Sequence, residues 1–457
     1  MSASISMAIS AMRTTANQSN RNPIDSAYNS LQDSMNRTDS RRSFANDLKG
    51  LLVSKWTQVR LQDLLAEPTR NGIHKGVDWQ GRGTPLIKMG EVYSAEYIGN
   101  APRDLVELTP AEMERLSVRD GDLLFCRTSL VADGVGRCAL VQGLTTKSAF
   151  ASNLIRVRID PMKADTQYIH WLFRSPEGQE LRRSIARGTS VTTITGPDLA
   201  SLSFHLPPIG EQRAIAGVLG ALDDKIESNR RIVATSMAMS ETSFLQWRGS
   251  LTGQEETTFG AFADVFGGAT PSTSEPEYWG GGHVWIAPRD VTGLDSVYLF
   301  DSERHITDLG LARSSTTLHP PGSIFMTSRA TIGAFAINQV PCAPNQGFIV
   351  VRPRDPTARW FLFHEMRSRI AEMQDRATGT TFRELSRGSF REMTLSIPAE
   401  RASFVALDNA VAPVHARASA AARESQSLTA FRDALLPELL SGRLRLKDAE
   451  NVVEGAL

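Results

Sequence analysis

Cysteine is scarce in this chain: Cys126, Cys138 and Cys342 are the only three in 457 residues, and they form no C-x-x-C pair. A disulfide scaffold is therefore excluded, and a reducing, cytoplasmic location is the simplest expectation. The eight histidines are scattered rather than set beside cysteines at ligand spacing, so no metal site is expected. No apolar run reaches the eighteen residues a membrane helix needs. Residues 1–22 lack the basic start and unbroken apolar core of a signal peptide. An excess of charge is missing too, because 50 basic and 50 acidic residues cancel. The composition does not advertise a polyanionic partner, but local basic patches remain open. The G-x-x-x-x-G-K-[ST] loop of a P-loop ATPase is absent. Asp223, Asp224, Lys225 and Glu227 read as the polar face of a helix, solvated or paired with a partner, rather than a nuclease cluster, and Gly280, Gly281 and Gly282 read as a turn beside Trp279 and Trp285.

What the chain does have is length and repetition. A chain of 457 residues has room for two to four domains. Residues 1–54, rich in Ser, Asn and Arg, read as a disordered extension with at most a weak helix over 26–35. From 55 to 205, short strand-like runs alternate with Gly, Asp and Pro: TPLIKMGEV (84–92), GDLLFCRT (121–128), GRCALV (136–141) and NLIRVRI (153–159). The spacing predicts a helix over 165–187, then a polar loop, a short helix or turn and a last strand. Residues 251–397 repeat this order: VWIAPRDV (284–291), PGSIFMTSRATIGAFAI (321–337), QGFIVVRP (346–353), a helix over 358–376, and ATGTTFRELSRGSFREMTLSIP (377–398) against ARGTSVTTITGPDLASLSFHLP (186–207). A period of about 190–200 residues is a duplication of domains, not a solenoid. Cys126 and Met326 stand at matching places in two such runs and are expected in the core.

Each block is followed by a long amphipathic stretch. In 206–250, Pro207 and Pro208 suit a helix start. Ile215, Leu222, Ile226, Val233, Met237 and Phe244 then follow in steps of seven and four, an eleven-residue period. In 398–446, Phe404, Leu407, Val411, Val414 and Ala418 step by three and four. Pro413 should kink that helix or remove one hydrogen bond, Gly442 should stop it, and the RLRL that follows reads as a short strand before a tail, 447–457. Two single-stripe helices of this length bury their stripes best against each other. The expected fold is α+β: two tandem, mixed, sheet-rich domains separated by two long helices that pair antiparallel, with a pseudo-two-fold between the halves.

The segment PPIGEQRAIAGVLGALDDKIESNRRI (207–232) resembles the central conserved region of the specificity subunits of type I restriction-modification systems, with Pro207–Pro208, Glu211–Arg213, Leu222–Ile226 and Asn229–Arg231 in the family's order. FRDALLPELLSGRLRL (431–446) resembles that family's terminal element. The second helix departs from the pattern, because Glu400 and Arg401 stand where a Glu-Gln-Arg triplet would be. The resemblance implies that 55–205 and 251–397 are target recognition domains. It also implies a non-catalytic chain that reads a bipartite, asymmetric sequence in double-stranded DNA, with two methyltransferase (modification) subunits and motor-nuclease (restriction) subunits as partners and no membrane. S-adenosylmethionine, ATP and magnesium would belong to those partners, leaving no cofactor in this chain. Helix pairing and partner binding then fall to Glu211, Gln212, Arg213, Ile215, Leu222, Ile226 and Val233 on the first helix and to Leu407, Val411, Val414, Leu435 and Leu439 on the second.

Bases and phosphates are met mostly by Arg, Lys, Asn, Gln, Ser and Thr. The loop candidates in the first block are Lys88, Arg127, Thr128, Ser129, Lys147, Arg187, Thr189, Ser190, Thr192 and Thr193. In the second block they are Arg289, Ser328, Arg329, Thr331, Asn345, Gln346, Thr378, Thr380, Thr381 and Arg383, with Asn345 and Gln346 matched to Lys147, and Arg289 to Lys88. Gly188 and Gly379 open GTS and GTT loops where a backbone could approach a phosphate. The rival readings are a self-contained DNA-modifying or DNA-cutting enzyme and a similar scaffold in another phage-defence complex. Against the first rival, the two Pro-Pro sites, LPPI (206–209) and HPPG (319–322), lack the Asn/Asp-Pro-Pro-Tyr/Phe pattern of adenine methyltransferases.

Overall fold

The structure, a computed structural model, describes residues 56–131, 134–188, 191–379 and 383–444. The expectations for 1–54, for the tail and for the end of RLRL lie outside the described residues. Within them the chain forms two compact units, one of residues 56–224 and 428–444, the other of 225–427.

The first unit contains β1 (Thr57–Arg60), β2 (Arg70–Asn71), β3 (Gln80–Ile87), α1 (Met89–Ser94), β4 (Tyr97–Ile98), β5 (Leu105–Val106), α2 (Pro110–Leu116), β6 (Asp122–Cys126), β7 (Thr128–Ser129), β8 (Cys138–Val141), β9 (Ala149–Phe150), β10 (Leu154–Arg158), α3 (Thr166–Arg174), α4 (Pro176–Ile185), β11 (Thr192–Thr193), α5 (Gly196–Ala200) and β12 (Ser203–Leu206). Its central sheet has the order β2-β10-β6-β8-β4, with only β4 running parallel to its neighbour. β6 and β8 are buried throughout, so both faces of the sheet are covered. A second sheet, β5-β3-β9, packs Ile87, Ala149 and Phe150 against Leu124, Ala139 and Leu154 of the first. The helix predicted over 165–187 is in fact two. Ser175 takes extended backbone ahead of Pro176, accepts the Gly178 N–H as an N-cap, and restarts the helix.

The second unit repeats the plan with β13 (Gln254–Thr258), β14 (Ala263–Phe266), β15 (Trp279–Ile286), β16 (Tyr298–Leu299), β17 (Arg304–Ile306), β18 (Ile324–Thr327), β19 (Phe335–Asn338), β20 (Cys342–Pro344), β21 (Phe348–Pro353) and β22 (Thr394–Pro398). The sheet order β14-β21-β18-β19-β16 matches the first unit's strand for strand, including the single parallel edge, and β17-β15-β20 matches β5-β3-β9. The helix predicted over 358–376 divides at Arg369 into Arg359–Ser368 and Ile370–Asp375. The runs 84–92 and 284–291 each start as strand and end as helix, since capping acids, Glu91 and Asp290, accept the N–H of Lys88 and Ala287. The match of Cys126 with Met326 is off by one. Left-handed turns at Gly121 and Gly322 start the two equivalent strands, so counting forward pairs Cys126 with Thr327 and Phe125 with Met326. Cys126 and Met326 are both fully buried.

The long helices are α6 (Ile209–Gly249) and α13 (Arg401–Leu440), the short helices of the second unit (Phe259–Phe262, Pro288–Thr292, Asp308–Ala312, Arg359–Ser368, Ile370–Asp375, Arg387–Arg391) being α7 to α12. In the second unit α6 and α13 run antiparallel: Asn229 donates to Glu424 at 2.8 Å, and Trp247, farther along α6, donates to Ser403, farther back on α13. The expected seam residues Ile215, Leu222, Ile226, Val233, Phe244, Phe404, Leu407, Val411 and Ala418 are buried, while Met237 and Val414 are half-buried. α13 continues through Pro413, which lies exposed, so the cost there is the one bond proline cannot donate. Gly442 ends the helix with φ 66° and returns its N–H to Leu439 at 3.2 Å.

Candidate DNA interface

In the first unit the chain leaves the central sheet at Arg127. Its N–H donates to the Asn153 carbonyl (2.8 Å), and its own carbonyl accepts the Ile194 N–H (2.9 Å). A short antiparallel ribbon follows, with Thr128 opposite Thr193 and Ser129 opposite Thr192. Reciprocal bonds between Arg187 and Thr193 (3.0 and 2.8 Å) close the second loop. That loop opens on Gly188 at φ 104°, where a Cβ would stand 2.3 Å from the Val191 carbonyl oxygen, so only glycine fits. Met89, at the start of α1, places its sulfur 4.0 Å from the Thr128 hydroxyl and so brings the Lys88 cap beside the ribbon. Lys88, Arg127, Thr128, Ser129, Arg187, Thr192 and Thr193 are thereby gathered, while Thr189 and Ser190 lie outside the described residues. Lys147 is not gathered with them. It precedes Ser148, which bridges to Val118 at the end of α2.

The second unit builds the same ribbon from other side chains. The Ser328 N–H donates to Gly347 (2.8 Å), and its carbonyl accepts the Leu385 N–H (3.0 Å). Arg329 bridges Glu384, Ala330 donates to the Arg383 carbonyl, and Thr378 and Glu384 exchange bonds of 3.0 and 2.8 Å. Gly379 has φ 109°, the partner of Gly188. Thr380 and Thr381 lie outside the described residues. The Asn345 N–H donates to Ile286 as the Ala151 N–H does to Ile87, both at 2.9 Å, which corrects two sequence matches. Asn345 and Gln346 correspond to Ala151 and Ser152 rather than to Lys147, and Lys88 corresponds to Ala287 rather than to Arg289. Loop lengths differ between the halves, and spacing alone hid this.

Most of the cationic candidates are already paired. Lys88 meets Asp104, Arg187 meets Asp198 at 2.6 Å, Arg289 meets Glu303 at 2.9 Å, and Arg329 meets Glu384 at 2.8 Å. The cations of these pairs are exposed, as are their partners except the largely covered Asp198, so each cation is cheap to turn towards a phosphate or a base. Arg383 turns its guanidinium onto the Gln374 and Ala377 carbonyls and clamps its own loop. Ser129 is buried, and its Oγ accepts the Val131 N–H, so it shapes the turn. Asn345 accepts the Gly347 N–H, Gln346 accepts from Thr270, and Thr331 and Thr378 are exposed.

The ribbons' sheets are tied to the long helices by two groups that sequence reasoning missed. In the first unit Tyr97 donates to Asp223 (2.9 Å), and Arg432 pairs with both Asp223 and Glu96, which Arg174 also meets. Desolvation pushes the Asp223 carboxyl up against the opposing pull of Arg432. Burial works against the Arg432 charge, but Asp223 and Glu96 outweigh it and hold the guanidinium protonated. In the second unit Tyr298 meets His415 Nδ1 (2.8 Å), His415 Nε2 meets His364 Nε2 (3.1 Å), and Trp360 stacks on His415 at 3.6 Å. Burial lowers His364 to about 4 and His415 to about 2, so both imidazoles are neutral. Gln212, one of the residues assigned to helix pairing and partner binding, is buried. It accepts the Asp165 N–H and donates to the Pro207 carbonyl, fixing the start of α6 to α3. Leu435 and Leu439 are buried with the rest of the seam, Glu211 is half-buried, and Arg213 is exposed.

Comparison with known proteins agrees with this geometry. The profile of the family described as "Type I restriction modification DNA specificity domain" matches residues 53–235 and 253–402, more than half of the chain. The MjaIX specificity subunit of Methanocaldococcus jannaschii is 36% identical over 137 residues, 30% of this chain and 32% of that protein. The EcoKI specificity subunit of Escherichia coli is 29% identical over 224 residues, 45% of this chain and 48% of that protein. The chain thus spans a third to a half of these two. The HindI specificity subunit of Haemophilus influenzae is matched over its whole length, at 21% identity across 86% of this chain. The crystal structure of the S subunit from M. genitalium shares the fold, with a TM-score of 0.56 at 15% identity over 84% of this chain and 96% of that one.

Proposed function

Because this chain belongs to the type I restriction-modification DNA specificity family, we propose that it is the sequence-reading subunit of such a complex. It recognises a two-part, asymmetric target in double-stranded DNA and has no chemistry of its own. One observation carries the reading: the same glycine-closed ribbon is built twice, on equivalent sheets, with different side chains on it. One scaffold with two contents suits two unlike half-sites. Residues 55–205 and 251–397 serve as the two target recognition domains. Lys88, Arg127, Thr128, Arg187, Thr192, Thr193, Arg289, Arg329, Thr331 and Gln346 are the side chains offered to DNA. Glu211 and Arg213 lie at the start of α6 and are offered to methyltransferase subunits, which bring S-adenosylmethionine; restriction subunits bring ATP and the motor.

The test is a methylome. The chain is expressed with its methyltransferase subunit in a host that lacks DNA methylation, and modified bases are mapped. A new bipartite motif with methyladenine in both halves is expected. Methylation without a two-part motif, or an assembled complex that methylates nothing, overturns the reading.

A further inference from the structure

The two ribbons differ at their tips. In the first unit the loop closed by the Gly136 N–H on the Cys126 carbonyl spans residues 127–135, whereas the equivalent closure of Gly333 on Thr327 spans only 328–332. The extra length carries Leu130 and Val131, whose surfaces are 83% and 66% exposed. Val191, 45% exposed, stands one residue before Thr192, the partner of Ser129, so it occupies the same end of the ribbon as Leu130. Exposing three aliphatic side chains together runs against burial. Two bonds nonetheless fix the backbone at Val131: its N–H donates to Ser129 Oγ at 2.9 Å, and its carbonyl accepts the Gly134 N–H at 2.9 Å. The corresponding stretch of the second unit reads Arg329, Ala330 and Thr331 where the first has Leu130 and Val131; Phe382, the sequence counterpart of Val191, lies outside the described residues.

We propose that Leu130, Val131 and Val191 form an apolar reader of thymine methyl groups in the major groove of one half-site. The proposal rests on the reading of this chain as a DNA-specificity subunit. A two-stranded ribbon fits the roughly 12 Å width of that groove, and the thymine methyl is the apolar group displayed on base edges there. The tip is bordered by Arg127, Thr128, Arg187, Thr192 and Thr193, the residue types that hold phosphates and base edges. A protein partner is the poorer fit, because three aliphatic side chains fall far short of the roughly 800 Å² per side of a stable protein interface.

The experiment uses the full chain in complex with its methyltransferase subunits and a duplex carrying the methylome-defined target. Each thymine in both halves is replaced in turn by deoxyuridine, which removes the methyl group and nothing else. Binding should weaken about fourfold, the worth of one buried methyl, at one or two thymines, all in the same half. A complex with Leu130→Ser, Val131→Ser and Val191→Ser should bind the thymine and uracil duplexes alike, yet keep full sensitivity to base changes in the other half. All three residues are exposed, so the variant should melt with the wild type. If the wild-type complex shows no sequence-specific binding, the reading as a specificity subunit fails and the tip proposal fails with it. Specific binding that ignores every uracil, or a uracil effect that persists in the variant, overturns the tip proposal alone.

Discussion

At one rung of the two ribbons the backbone is the same and the side chains are opposite in kind. Thr128 faces Thr193 in the first unit; Arg329 is ion-paired to Glu384 in the second. The bonds that set the rung barely differ: 2.8 and 2.8 Å where the chain leaves the sheet, 2.9 and 3.0 Å where the second loop returns. Geometry here belongs to main-chain bonds and two left-handed glycines, so the side chains are free to vary. The helix anchors show the same division. A tyrosine on the parallel edge strand reaches a long helix in both halves, but it meets the charged Asp223 in one and the neutral His415 in the other. Duplication kept the frame and released its contents.

The hardest way to break that symmetry is through the charged anchor. Arg432→Ala leaves Asp223 buried beside Glu96 with its main counter-charge gone. Removing one partner of a buried pair costs about 3–5 kcal/mol. The first unit should therefore unfold at markedly lower denaturant, followed by hydrogen exchange in β6 and β8, while β18 and β19 keep their protection. Equal loss in both units would show that the anchors do not act separately.

Acid should act on the other half. A histidine whose folded pKa lies below its unfolded value of about 6.5 binds fewer protons folded than unfolded. Its contribution is complete above that value and is lost as the pH falls towards the folded pKa. The second unit has three such groups, His319, His364 and His415, all lowered by burial. The first has His170. Between pH 7 and pH 5 each of the three withdraws up to about 2 kcal/mol, with His305, raised by its bond to Asp301, offsetting a part. Carboxyls pushed up by desolvation work the other way in both units, Asp223 in the first and Glu365 and Asp408 in the second, and leave the difference to the imidazoles. The second unit should thus melt first at pH 5, and His415→Gln should narrow the gap. Both units losing alike would mean that the buried imidazoles do not govern acid stability.

At the ribbons the effects are smaller and fall on recognition. Arg329→Ala should leave stability nearly unchanged, because its pair with Glu384 is exposed. It should cost about 1–3 kcal/mol of discrimination at one base pair, in one half of the target. That Arg329 sits in a loop at the end of a sheet strand was legible in the sequence: strand-like runs, GT loops and a repeat of about 190–200 residues located both ribbons. Its partner was not, because Glu384 is 55 residues away and pairs through a strand bridge that no local period announces. The helix seam was legible from steps of seven and four on α6 and of three and four on α13. The His364–His415 and Asp223–Arg432 contacts were not, since they join residues far apart in sequence whose side chains mean nothing singly. The register of the two halves was nearly readable, and failed where loops changed length, as with Lys147 and Asn345.

The smallest expected effect sharpens the comparison most cheaply. Arg187 is 76% exposed and pairs with Asp198, whose carboxylate also caps α5. In the second unit the matching residue is Thr378, which carries no charge. If Arg187 meets a phosphate, Arg187→Ala should change stability by less than about 1 kcal/mol and leave the recognised sequence alone. Affinity should fall to a similar extent for all duplexes, and the slope of log affinity against log salt should drop by about one. Thr378→Ala should leave that slope where it was. A change of sequence preference in the arginine variant would instead place Arg187 on a base edge, and the first ribbon would then read polar groups as is proposed for the second.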